Sequence, residues 1–266
     1  MKRKVRNKKR RYLVQILFLC ICIGSAAMLF YDMALLPRQN RELAEELKEE
    51  FPEDISPGGP SSGETPQQAG KEPEVACVDL FSLRAQYPAV RGWLTIPDTG
   101  IDYPVLQSSM DEPEYYLRRN YKGDYDINGS LFLQADCSLT ESGNRIIYGH
   151  NMNSGAMFGN LEQYAAKSYW QAHSKVFLQT EEGMEVYAVA AVLKADVSMF
   201  PFQQAAFQHQ SDAEAYVELA KAQSLFETGV DGADCETVLT LVTCSYEWKE
   251  ARNIVVAVKI QPETEE

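Results

Sequence analysis

Eight short runs rich in Val, Ile, Thr, Tyr and Phe fill the chain after about residue 76, and they leave little room for anything but a sheet closed on itself. They cover 92–96, 101–107, 130–134, 144–149, 174–179, 184–194, 237–243 and 253–260. β-branched and aromatic side chains suit a pleated, half-buried surface, and turn residues bound each run. Asn128-Gly129 and Asp231-Gly232 are strong turn signals. Helical pieces fit 79–87, 157–171 and 211–226. In the last, Tyr216, Leu219, Ala220 and Leu225 recur at helical spacing and predict a face packed on the domain. Eight strands with few helices predict a mainly-β, closed or nearly closed barrel.

The N-terminal third has a different character. Residues 1–11 hold eight Lys/Arg and no acid, although the 266-residue chain carries a net charge of -13. The remainder is therefore strongly acidic, which argues against nucleic-acid binding, a function that depends on basic patches to neutralise phosphates. Residues 12–31 contain no charge. Twenty helical residues span roughly 30 Å, the thickness of a bilayer core. Basic residues directly before such a run hold the N-terminus in the cytoplasm and send the rest of the chain across. A cleaved signal peptide is the rival reading, but its apolar region is about 7–15 residues long and ends in a small-x-small site. Here Ser25-Ala26-Ala27 is followed by further apolar residues. The expected organisation is a cytoplasmic tail (1–11), a single-pass transmembrane anchor (12–31), an extracellular linker (32–75) and a folded extracellular domain (76–266). The linker opens with the acidic helical stretch RELAEELKEEF. It continues through SPGGPSSGETPQQAGKEPE, whose composition cannot bury enough apolar surface to fold.

Six cysteines are present. Cys20 and Cys22 fall in the apolar run. Cys77, Cys137, Cys235 and Cys244 show no C-x-x-C pair and no zinc-like spacing, and a disulfide among the first three stays open. No metal or other cofactor is expected. Cys244 ends the apolar run TVLTLVT, and Arg252 opens the next one after a seven-residue connection. If the two runs pair as a hairpin, Cys244 and Arg252 face each other, with α-carbons about 4.5–5.5 Å apart. Among the histidines, His150 stands at a strand exit in Tyr148-Gly149-His150-Asn151, whereas His173 and His209 lie in polar, loop-like surroundings and read as surface residues. The parts suit acyl transfer. A thiolate attacks, an imidazole shuttles the proton, and a guanidinium that cannot deprotonate orients the carbonyl and stabilises the oxyanion. An ion pair of Arg252 with Glu247 or Glu250 is the plainer reading of that arginine.

The strings IIYGHNM and TLVTC, with Arg252 eight residues beyond the cysteine, closely resemble the bacterial sortases, over about residues 76–262. Leu83-Arg84 to Gly92-Trp93-Leu94, Ile101-Asp102-Tyr103-Pro104-Val105, Gly129-Ser130-Leu131-Phe132 and Met157-Phe158-Gly159 are similar to class B members in particular. The resemblance implies an eight-stranded sortase barrel on the surface of a Gram-positive bacterium. It implies cleavage of a sorting motif after its threonine, a thioester on the cysteine, and transfer of a secreted protein to an amine. That amine belongs to a peptidoglycan cross-bridge precursor or a pilin lysine. It places His150, Cys244 and Arg252 on the catalytic positions and Tyr148 and Leu117 near the sorting peptide. Thr243 contributes beside the nucleophile or is a plain strand threonine. Val242, Ser245 and Pro113 depart from common class B residues, which bears on motif preference. No calcium requirement is implied. Two rivals remain: a cysteine protease or isopeptidase with mainly hydrolytic activity, and an inactive surface-tethered binding module on the same barrel.

Overall fold

The computed structural model describes residues 2–31, 36–53, 75–233, 235–245, 248 and 250–260. Among the described residues three helices precede the barrel: α1 (Lys2–Phe30), α2 (Leu36–Glu50) and α3 (Leu80–Gln86). The strands are β1 (Val90–Ile96), β2 (Ile101–Gln107), β3 (Leu131–Leu133), β4 (Asn144–Tyr148), β5 (Lys175–Thr180), β6 (Gly183–Ala195), β7 (Val238–Cys244) and β8 (Arg252–Ile260). They close a barrel in the order β1-β2-β3-β4-β7-β8-β6-β5. The eight predicted runs and their closure are thus observed. The 157–171 helix is instead a 3₁₀ turn, Gly159–Ala165, followed by α4 (Lys167–Ala172), and α5 (Gln210–Ala222) lies between β6 and β7.

Two pairings decide where chemistry can gather. β2 pairs with β3, and β4 with β7, in parallel. Parallel neighbours need long crossovers. The first crossover carries the 3₁₀ turn Tyr115–Arg118, and the second leaves β4 after Tyr148, passes His150 and returns only at β7. Because β4 and β7 run the same way, their C-terminal ends share one rim, with Tyr148 beside Val242. The antiparallel β8 begins at that rim, where Cys244 pairs with Arg252.

Three expectations need correction. The stretch 36–53 is not a free spacer. Ala44, Leu47 and Phe51 of α2 and the turn after it are buried in the barrel's core. Lys48 meets Asp102, which also accepts from Trp93 Nε1 at 2.7 Å. Asp79 N donates to Phe51 O at 2.9 Å, which joins the segment to α3. Of the rest of the expected linker, 32–35 and 54–74 lie outside the described residues. In α5 the buried residues are Ala213, Tyr216, Val217 and Ala220, whereas Leu219 and Leu225 are exposed. Tyr216 and Ala220 of the expected stripe face inward, joined by Ala213 and Val217, and Leu219 lies well round from that face. His173 is half-buried, not a surface residue; Nδ1 lies 3.0 Å from Pro97 O and the ring packs on Tyr169. His209 is exposed as expected, at the N-cap of α5.

All six cysteines, including Cys77, Cys137 and Cys235, are free thiols. Counted over the described residues alone, no helix is long and apolar enough to cross a membrane.

The docking of α2 has a measurable consequence. Leu47 is fully buried, and truncating a buried leucine costs about 2–5 kcal/mol. Leu47→Ala should therefore lower the chemical-denaturation midpoint of the barrel. In an undocked spacer the same change would leave the midpoint where it was.

Candidate active site

The shared rim opens into a cleft of about 630 Å³ that contains Cys244, His150 and Arg252 together. Each is delivered by a different constraint. Cys244 ends β7, whose preceding six residues are all buried, so the strand is fixed on both faces up to the sulfur. Arg252 is its register partner across the ladder, and Ser245 N donates to Ala251 O at 2.9 Å to close the hairpin beyond. His150 follows Gly149, a position with no room for a side chain. An added Cβ would lie 2.5 Å from Leu131 Cδ2 and 2.8 Å from Phe158 Cδ2.

The imidazole is held from the opposite wall. Its Nε2 lies 2.7 Å from the carbonyl oxygen of Leu117. A carbonyl only accepts, so Nε2 carries the proton and Nδ1 is the basic nitrogen of the neutral ring. Burial lowers the pKa of His150 below the ordinary histidine value. The bond to Leu117 O opposes that effect, the Arg118 charge adds to it, and Asp126 opposes it. The supporting carbonyl is itself fixed by a close approach. Gly129 sits at φ 60°, and a Cβ there would collide with Leu117 O. Ser130 N donates to Tyr116 O at 3.0 Å. Further out, Asp126 accepts from Asn40 of α2 at 2.9 Å, and Asn128 donates to Asn40 Oδ1.

Arg252 is half-buried. It donates through Nη1 to Ala251 O at 3.0 Å and lies 3.6 Å through Nη2 from the exposed Glu250. The anticipated ion pair with Glu250 therefore exists alongside the position in the cleft; Glu247 lies outside the described residues. An exposed pair at that distance contributes little and does not by itself account for an arginine at the mouth of an apolar strand.

The remaining predicted residues also line the cleft. Tyr148 packs its ring on Phe132 and donates its hydroxyl to Gln134 Oε1 at 2.8 Å. Burial pushes its pKa up to about 12, so it acts as a neutral donor. Leu117 contributes both a half-buried side chain and the carbonyl that holds His150. Thr243 is buried, and its Oγ1 has no hydrogen-bond partner among the described residues. Two residues given no role in the sequence reading act here: Asn151 and Asn253 both direct side-chain amides at the carbonyl of Cys244. Met110, Pro113, Glu114, Asp136, Phe202 and Gln203 complete the rim.

The comparisons with known proteins agree with this arrangement. Residues 94–260 match the family profile of the sortase domain. Sortase B of Listeria monocytogenes is 36% identical over 171 residues, which covers 64% of this chain and 68% of that protein. The structure of Clostridium perfringens sortase B aligns at a TM-score of 0.61 and 28% identity, over 68% of this chain and 99% of that one. A Staphylococcus aureus sortase B–substrate complex aligns at 0.62 and 25% identity, over 69% and 85%. With an eight-stranded barrel of the same architecture and matches of this extent, the chain belongs to the sortase family of cysteine transpeptidases and is of its class B type.

Proposed function

We propose that this sortase cleaves a C-terminal sorting motif after its threonine through a thioester on Cys244 and passes the protein to an amine of the cell wall or of a pilin. The observation that carries this reading is the opposition of Cys244 and Arg252 at strand ends in one cleft with His150. The Cys244 thiolate attacks the threonine carbonyl carbon, and Arg252 stabilises the oxyanion. The C–N bond then breaks, with the proton for the leaving amine coming from the His150 imidazolium. In the second half an incoming amine attacks the thioester, His150 takes its proton, and the sulfur leaves as thiolate. Tyr148 and Leu117 line the path of the motif, and Thr243 supports the nucleophile's strand. The sortase family acts on sorting-motif substrates and amine acceptors, and one of the S. aureus sortase B structures is a substrate complex. No cofactor takes part in these steps.

We further propose that α1 anchors the protein in the plasma membrane with the catalytic domain outside. Its described apolar side chains from Val14 to Phe30 are open to solvent, with Phe18 67% and Phe30 65% exposed. Continuous apolar surface of this kind marks a membrane or protein contact. The uncharged run 12–31 includes residue 13, whose side chain lies outside the described ones, and the basic residues precede it. This supports a cytoplasmic N-terminus.

The test uses the full-length protein in detergent micelles, mixed with a panel of Asn-Pro-x-Thr and Pro-x-Thr-Gly peptides with and without triglycine. Mass spectrometry should show one peptide class as an adduct on Cys244, and triglycine should convert it to a ligated product. Cleavage whose products are the same with and without amine would support the hydrolytic alternative and overturn transfer.

A further inference from the structure

The hydrogen-bond ladder between β4 and β7 runs out one step short of the nucleophile, and a side chain completes it. Gly149 N donates to Val242 O at 3.2 Å. Carbonyls two residues apart along a strand point to the same neighbour, so the Cys244 carbonyl also faces the β4 side. There the main chain has already turned away. His150 O accepts from Phe158 N at 3.0 Å, and Asn151 bridges to Met157. The Asn151 side chain fills the gap, with Nδ2 donating to Cys244 O at 2.9 Å. The same nitrogen lies 3.3 Å from Glu162 Oε2, which orients the amide. Asn151 is only 7% exposed. From the other side Asn253 Nδ2 reaches the same oxygen at 3.4 Å. The residue after His150 and the residue after Arg252 therefore converge on the backbone of the nucleophile.

We infer that Asn151 is a positioning residue: it ties the His150 loop to the carbonyl of Cys244 and so sets the placement of the imidazole against the sulfur. Asn151 touches neither substrate nor the reacting atoms in this role. A single neutral hydrogen bond contributes little to net stability. A displacement of about 1 Å between reacting groups, however, costs on the order of 10²-fold in rate. The bond's effect should therefore appear in reactivity more than in folding. The inference rests on the reading of Cys244 and His150 as a reacting pair.

The experiment follows alkylation of Cys244 by iodoacetamide in the full-length protein in detergent micelles, with mass spectrometry of the Cys244 peptide to separate it from the other thiols. Asn151→Ala should slow alkylation about 10-fold while the melting temperature stays within a few degrees, and His150→Ala should slow it at least as much. In a His150→Ala background, Asn151→Ala should change the rate less than about 2-fold, because the two act as one unit. Slowing of equal size in both backgrounds would show that Asn151 merely supports the rim, and no slowing would show that it does nothing for the pair; either result overturns the inference. Should Asn151→Ala fail to fold, Glu162→Ala at the exposed partner decides. A 2–3-fold slowing supports the clamp, and an unchanged rate removes it. If His150→Ala itself leaves alkylation untouched, the pairing of thiol and imidazole is what fails. If His150→Ala slows the reaction and Asn151→Ala does not, only the positioning role fails.

Discussion

Cys244→Ala is expected to abolish peptide turnover, with a loss on the order of 10⁴-fold or more, while leaving the barrel folded. The chemistry gives no detour: without sulfur there is no thioester, and the flanking groups cannot replace a nucleophile they exist to assist. The fold loses little. Cys244 is the last residue of β7, half-buried at an open rim, and the ladder to Arg252 is made by main chain. Turnover of a sorting peptide by the purified variant, with its melting curve recorded alongside, measures both parts. A variant that retained the biological effect would favour the tethered binding module, since that reading needs the surface of the barrel and not its thiol.

Arg252→Ala should cost about 10²–10³ in turnover, the usual effect of removing one oxyanion donor. Arg252→Lys should recover little of it. The guanidinium is held through Nη1 on Ala251 O, and its Nη2 makes only a 3.6 Å contact with the exposed Glu250. An ammonium on a flexible stem has no such fixed fork. The pairing with Glu250 does not predict this loss, because a surface contact at 3.6 Å with an exposed carboxylate is worth little. Alkylation of Cys244 by iodoacetamide offers a control. It develops no oxyanion, so it should fall far less than peptide turnover. Turnover within threefold of wild type in Arg252→Ala would end the assignment.

The strands were readable in the sequence because their side chains alternate with turn signals, and the hairpin register followed from two runs and the seven-residue connection between them. His150 was readable because glycine and a polar stretch bracket it at a strand exit. What escaped was carried by backbone acceptors. The Leu117 carbonyl that holds the imidazole and the Cys244 carbonyl that gathers Asn151 and Asn253 have no residue-specific signature, since every residue carries the same group. The docking of α2 did leave a trace, in Asn40, Ala44, Leu47 and Phe51 at helical spacing, but the Gly/Pro/Ser-rich composition downstream outweighed it. In α5 the helical spacing put Tyr216 and Ala220 correctly on the buried face, but Leu219 lies round from it, and Ala213 and Val217 complete the contact.

The register of β7 against β4 and β8 fixes the reactive groups by main-chain pairing, whereas Met110, Pro113, Glu114, Phe202 and Gln203 enter the cleft from the connections that follow β2 and β6. Part of the cleft wall is therefore separable from the strands that carry Cys244 and Arg252, while Tyr148 at the end of β4 and Leu117 stay tied to the reactive groups. Natural drift or a randomised library confined to 108–114 and 198–204 would reshape that wall of the cleft without touching the strands that carry Cys244 and Arg252.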